Sequence, residues 1–136
     1  MRPVKVAIAI IQRADKVLIS QRLHGAILPD LWEFPGGKVE PNETPEQCLR
    51  REIQEELGID VEIEKPFSTI DHAYPHLTVR LHPFLCTIGS AEPTALASQR
   101  LRWVAVGDLG GFAFPAANVE LLKEIVPSLT REENRY

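Results

Sequence analysis

Between Gly36 and Ile59 the chain joins two adjacent glycines to a helix start, an acidic amphipathic run and a glycine stop, and no other segment restricts the fold as much. Thr44 is a good helix cap, and Pro45 suits the first helical position, where its missing N–H costs nothing. Gln47, three residues after Thr44, completes a capping box, and Gly58 is the expected stop. At about 100° per residue, Leu49, Ile53 and Leu57 form one stripe that must face a core. Glu52, Glu55 and Glu56 crowd the adjoining face at i, i+3 and i, i+4 spacing. Like charges so placed repel by roughly a few tenths of a kcal/mol per pair, which Arg50 and Arg51 partly offset. Such a row describes either a solvated surface or a grip for a cation. No convergent cysteine or histidine set lies nearby, so zinc is disfavoured, and carboxylates with a backbone carbonyl suit Mg²⁺ or Mn²⁺. The Gly36-Gly37 pair, lacking Cβ atoms, lets the backbone come close to such an ion.

The flanking sequence supplies strands. Val4 to Ile11 is nearly all apolar and suits a strand buried on both faces; after a turn at Ala14, Asp15 and Lys16, Lys16 to Gln21 alternates and completes a hairpin. Residues 22 to 44, punctuated by proline and glycine, read as a long loop of the kind that carries function. Val61 to Ile70, Leu77 to Ile88 and Leu101 to Val106 read as further strands. A second helix is expected from about Ala116 to Val126, with Val119, Leu122 and Ile125 on one face, Pro127 as its end and a frayed tail from Arg131 to Tyr136. Strands and two helices interleave without regular βαβ spacing, which predicts a mixed sheet with helices packed on its faces.

Composition narrows the function classes. With 136 residues, 44% hydrophobic and 25% charged, the chain has the makings of one folded domain, residues 1–136, and not of a disordered, collagen-like or disulfide-scaffold protein. The formal charge of −4 argues against a surface that grips nucleic acid. No apolar run approaches a bilayer span and the first residues lack a signal-peptide pattern, so a cytoplasmic protein without membrane partners is expected. Cys48 and Cys86 read as buried reduced thiols. His72, His76 and His82 are spaced as a metal cluster could be, although surface strands often carry histidine.

Gly37-x5-Glu43-x7-Arg51-Glu52-Ile53-Gln54-Glu55-Glu56-Leu57-Gly58-Ile59 matches the Nudix box at every defined position. The upstream Trp32-Glu33-Phe34-Pro35-Gly36-Gly37-Lys38, together with Thr44-Pro45-Glu46-Gln47 and Phe114-Pro115-Ala116-Ala117-Asn118, resembles the MutT-like branch of that family. The resemblance implies a Nudix-like α/β/α sandwich, an α/β fold of the α+β type with a mixed β-sheet and helices on both faces. It implies Mg²⁺-dependent hydrolysis, with Mn²⁺ able to substitute, of 8-oxo-dGTP to 8-oxo-dGMP and pyrophosphate, which cleanses the nucleotide pool before replication. By the same resemblance Glu52, Glu55, Glu56 and the Gly36 carbonyl hold metal. Glu52 orients or deprotonates water, Arg51 holds a glutamate, and Glu43 plays a structural or outer part. Asn118 and Phe34 meet the base, and Arg22 and Lys38 approach the nucleotide and its phosphates. Each of the substrate-facing residues also has a plainer reading: Asn118 as a helix-start residue, Phe34 as core and Arg22 as a solvated strand end. The expected partner is a small-molecule nucleotide, acted on by a monomer. One departure stands out: related proteins often carry a glutamate shortly before the tryptophan matching Trp103, whereas Ala97 to Arg102 contains no acid, leaving Glu92 and Gln99 as the nearest substitutes. Alternatives are a Nudix hydrolase of CTP, dCTP or dihydroneopterin triphosphate, or a non-catalytic module that recognises 8-oxoguanine. The last sits poorly with the complete set of box glutamates and the acidic charge.

Overall fold

A computed structural model describes residues 2–26 and 29–133, with side-chain surroundings as far as residue 130. The apolar run forms β1 (Val4–Arg13), and the hairpin partner β2 (Lys16–Gln21) follows. The expected long loop holds two short strands, β3 (Trp32–Glu33) and β4 (Gly36–Lys38). Helix α1 (Pro45–Leu57) is capped as its sequence requires: Thr44 Oγ1 accepts from the Gln47 N–H at 3.1 Å, and Gln47 Oε1 accepts from the Thr44 N–H at 2.9 Å. Gly58 closes it in the left-handed region, φ 70°.

The expected single strand from Val61 to Ile70 is instead β5 (Glu62–Pro66) and β6 (Ile70–Tyr74), both antiparallel to β7 (Leu77–Thr87). Pro66 has no N–H to continue the ladder, and the Phe67 N–H turns to the Pro83 carbonyl at 2.9 Å. β8 (Arg100–Ala105) pairs with β2 and runs into a 3₁₀ turn, Val106–Gly111.

The last element, α2, runs from Ala116 to Glu133, through Pro127 and past the end expected for it. Ala117, Leu121, Ile125 and Leu129 recur every four residues and are all buried, so the stripe continues beyond the proline. Proline's φ is helical and it removes one backbone bond; burial of Leu129 offsets that loss. Of the expected inner face, Leu122 and Ile125 do pack on the core, whereas Val119 is 41% exposed. Helix also replaces the expected fraying from Arg131 to Glu133; residues 134–136 lie outside the described residues.

β1 organises the sheet. It is parallel to β7 from Val4↔Val79 to Ile11↔Cys86 and antiparallel to β4 on its other edge from Val6↔Lys38 to Ile8↔Gly36. Only at its far end, Gln12↔Val17 and Arg13↔Lys16, does it pair with β2, which carries β3 and β8. Successive β1 side chains feed opposite cores: Ala7, Ala9 and Ile11 pack with Leu49, Ile53 and Leu57 of α1, while Ile8 and Ile10 pack with Leu121, Ile125 and Leu129 of α2. The result is a mixed sheet with a helix on each face, as expected. Because β1 and β2 part after two residue pairs, β3 and β4 enter between them, and Glu33, Phe34 and Gly36 to Lys38 line an open cleft.

Candidate active site

The cleft measures about 740 Å³ and is walled by two different chemistries. One wall is polar: Gly36 and Gly37 of β4, Lys38 at the rim, Glu52 and Glu56 of α1, and Arg22 with Glu33. The other is mostly apolar: Phe34, Tyr74, Leu77, Val79, Pro115 and Asn118.

Strand alternation makes this division. Glu33 lies opposite Ser20 in the β2–β3 ladder, and Ser20 in turn lies opposite Leu101, which packs on the α1 side. Glu33 therefore faces α1, whereas Phe34, one residue on, enters the α2-side core and stacks on Phe114 with ring centres 5.3 Å apart.

The two glycines bring β4 against its neighbours. Gly36 has φ +154°, and a Cβ there would lie 2.0 Å from the Ala7 carbonyl oxygen. At Gly37 a Cβ would lie 2.3 Å from the Glu52 carboxyl carbon, so the carboxylate of Glu52 rests in the space that this glycine leaves open. The Gly36 N–H donates to Glu56 Oε2 at 3.0 Å.

Arg51 stands behind the cleft wall and ties the acids of the box together. Its guanidinium grips Glu43 in bidentate fashion, with Nε and Nη2 at 2.8 and 3.0 Å from the two oxygens. Its Nη1 donates to Glu52 Oε1 at 2.8 Å and to Glu55 Oε2 at 3.4 Å. Glu43 also accepts the Glu40 N–H, so both of its oxygens are engaged within the protein. These donors hold the Glu43 carboxyl down at about 2, while Arg51 is pushed above its usual value. The acids that line the cleft shift the other way. Burial raises Glu52 against the pull of Arg51. Burial first, then repulsion from Glu52, Glu33 and Glu55, lifts Glu56 to about 8, although the Gly36 N–H opposes the change.

The expected residues are not all brought together. Glu52, Glu56, Gly36, Phe34, Lys38, Arg22 and Asn118 line one cleft. Glu55 does not; its side chain is 60% exposed and leans on Arg51. Among the described residues no group of three His, Cys, Asp or Glu is drawn up as a finished metal cluster, and this holds for the histidines too. His72 pairs with Glu120 and meets the Tyr74 ring edge-on. Neither substitute for the missing acid faces the cleft: Glu92 is on the surface beside Arg13, and Gln99 donates to the Arg22 carbonyl at 2.7 Å. Both cysteines are free and buried, and burial pushes both thiols up to about 12.

The donor set fits a hard divalent cation. Two carboxylates, a carbonyl-bearing glycine strand and open space beside them leave room for water and phosphate oxygens, which such an ion prefers to an all-protein cage.

At the other wall Asn118 is only 8% exposed, and its side-chain oxygen has no hydrogen-bond partner. Tyr74 steadies this corner, its hydroxyl accepting the Ala117 N–H at 3.1 Å. Sequence reasoning passed over Tyr74 and Glu33. The Tyr74 contact spans two distant segments, so nothing local announces it. Glu33 was visible as an acid between two aromatics, Trp32 and Phe34, in a stretch too short to read as a strand.

The chain is similar to known proteins along most of its length. The 8-oxo-dGTP diphosphatase of Escherichia coli (strain K12) is 31% identical over 126 residues, 92% of this chain and 98% of that protein. The CTP pyrophosphohydrolase of the same organism is 32% identical over 123 residues, 90% of this chain and 91% of that protein. The crystal structure of a MutT NUDIX hydrolase from Burkholderia pseudomallei superposes with a TM-score of 0.81 at 28% identity, covering 92% of this chain and 99% of that one. Residues 6–124, which include both helices' contributions to the cleft, match the NUDIX domain, and the chain belongs to that family.

Proposed function

We propose that the chain is an 8-oxo-dGTP diphosphatase, hydrolysing the oxidised nucleotide to 8-oxo-dGMP and pyrophosphate with Mg²⁺. The observation that carries the substrate is Asn118: a buried carboxamide oxygen without a partner, in the same cleft as Glu52 and Glu56. A buried acceptor left unpaired costs about 1–3 kcal/mol, which a ligand N–H recovers. Guanine offers a lone pair at N7, whereas its 8-oxo form offers an N–H there. The apolar wall of Phe34, Val79 and Pro115 supplies the flat surface for the base.

Each of the other residues has a task in this reading. Glu52 and Glu56, with the Gly36 carbonyl, would hold the divalent ion, and Glu55 would reach it only by leaving Arg51. The ion supplies charge neutralisation of the phosphates and activation of water. Glu52, fixed between Arg51 and the Gly37 backbone, orients the attacking water and takes its proton. Arg51 positions Glu52. Arg22 and Lys38, at the cleft edge, approach the phosphates. The acidic chain acts as a monomer on free nucleotides and does not hold nucleic acid.

The second reading is a CTP pyrophosphohydrolase, favoured by a relative as identical to this chain as the first. Steady-state pyrophosphate release from 8-oxo-dGTP, dGTP and CTP in Mg²⁺ separates the two. The proposal requires kcat/KM to be highest on 8-oxo-dGTP; a higher value on CTP gives the second reading its place.

A further inference from the structure

Beneath the cleft, on the side of α1, lies a niche of about 10 Å³, room for one water-sized sphere. Glu33 and Glu56 both line it as well as the cleft above. Ser20 borders it too; this residue is 7% exposed, and its hydroxyl meets no hydrogen-bond partner among the described residues. The rest of its lining, Pro35, Leu57, Ala97 and Ser98, brings no charge. Two carboxylates and a serine hydroxyl beside a space of single-ion size present the oxygen ligands that a hard cation takes.

Each of the three cleft carboxylates is meanwhile tied to a separate donor: Glu52 to Arg51 at 2.8 Å, Glu56 to the Gly36 N–H at 3.0 Å, and Glu33 to Arg22 Nη1 at 2.8 Å. Arg22 itself lines the cleft, so its guanidinium and a cation compete for one carboxylate.

We propose that Glu33 is a further cation-holding carboxylate of this site and that Arg22 latches it, the arrival of a divalent cation at Glu33 and Glu56 releasing the Arg22 guanidinium toward the anionic part of the substrate. The inference rests on the reading of the cleft as a divalent-ion site. It adds a carboxylate from β3 to those that α1 supplies. It also couples the two cargoes: ion binding prepares the arginine that meets phosphate.

Mn²⁺ titration of the full chain without nucleotide, read by the loss of the free-ion paramagnetic resonance signal, tests it. Glu33→Gln keeps the shape and removes the charge, and Mn²⁺ affinity should fall roughly tenfold or more. Arg22→Ala removes the competitor, and Mn²⁺ affinity should rise. Opposite signs from two partners of one ion pair are what a purely structural bridge does not give. Glu33→Gln binding Mn²⁺ as the parent does, or both variants weakening it together alongside a shared drop in melting temperature, overturns the inference and leaves the cleft reading intact. A parent chain that takes up no Mn²⁺ overturns both.

Discussion

Gly37→Ala is the sharpest perturbation that the structure offers, because it moves one carboxylate and little else. A Cβ at this position would sit 2.3 Å from the Glu52 carboxyl carbon and 2.6 Å from both its oxygens. Ordinary contact begins at 3.4 Å, so the carboxylate must retreat by about 1 Å. The obstacle is the far end of a flexible side chain, and Gly37 does not need a positive φ, so the fold yields at small cost. The melting temperature should stay within about 5 °C of the parent. Turnover should not survive so well. A displacement near 1 Å in a group that orients the nucleophile costs on the order of 10²-fold in rate, and the 2.8 Å bond from Arg51 that aims Glu52 lengthens with it. Pyrophosphate release in saturating Mg²⁺ and nucleotide measures kcat, and a thermal melt of the same sample measures the fold. Gly36→Ala is the contrast: there the new methyl meets the Ala7 backbone at 2.0 Å with φ +154°, so that variant should lose stability first. A Gly37→Ala enzyme with kcat within twofold of the parent would refute the placement of Glu52 beside the reacting centre.

Other expected outcomes are as concrete. Glu52→Gln should fold normally, since its side chain lies at the edge of the α1 core stripe, yet lose roughly 10²–10⁴-fold in kcat; undiminished turnover removes Glu52 from the chemistry. Asn118→Ala should reduce the preference for 8-oxo-dGTP over dGTP by about tenfold while sparing dGTP hydrolysis, and an unchanged ratio of kcat/KM values removes it from recognition. The Glu43–Arg51 pair sets an acid limb of stability: the Glu43 carboxyl is lowered from 4.5 to about 2, so the unfolded chain takes up the proton first as pH falls. That stability is present above about pH 4.5 and is lost on the way down to pH 2; urea unfolding at pH 3 and pH 7 should show a smaller pH difference in Glu43→Gln than in the parent.

Helix α1 was legible from its residues because every signal in it is local: Thr44 and Gln47 cap it, Pro45 starts it, Leu49, Ile53 and Leu57 set its inner face and Gly58 stops it. The both-faces burial of β1 was legible for the same reason, as a run of apolar residues. Where local and tertiary signals disagree the reading slipped. Pro127 is a helix breaker taken alone, but Leu129 is buried two residues further on and keeps α2 going. In the site, the Nudix box located the acids on α1 but said nothing of the partition between Glu52 and Glu56, which reach the cleft, and Glu55, which does not. That partition depends on where β4 passes, and β4 is three residues in what reads as loop. Glu33 was hidden by the same cause: its direction follows from pairing with Ser20, a contact between segments that no periodicity in either one reveals.

The most direct measurement follows the phosphorus atoms. Phosphorus NMR of 8-oxo-dGTP incubated with the protein should show 8-oxo-dGMP and pyrophosphate appearing in equal amounts when Mg²⁺ is present and no turnover when it is chelated. Orthophosphate as the released product would contradict the diphosphatase cleavage, and turnover that continues in chelator would contradict a divalent ion held against Glu52 and Glu56 as the agent that opens the phosphate chain.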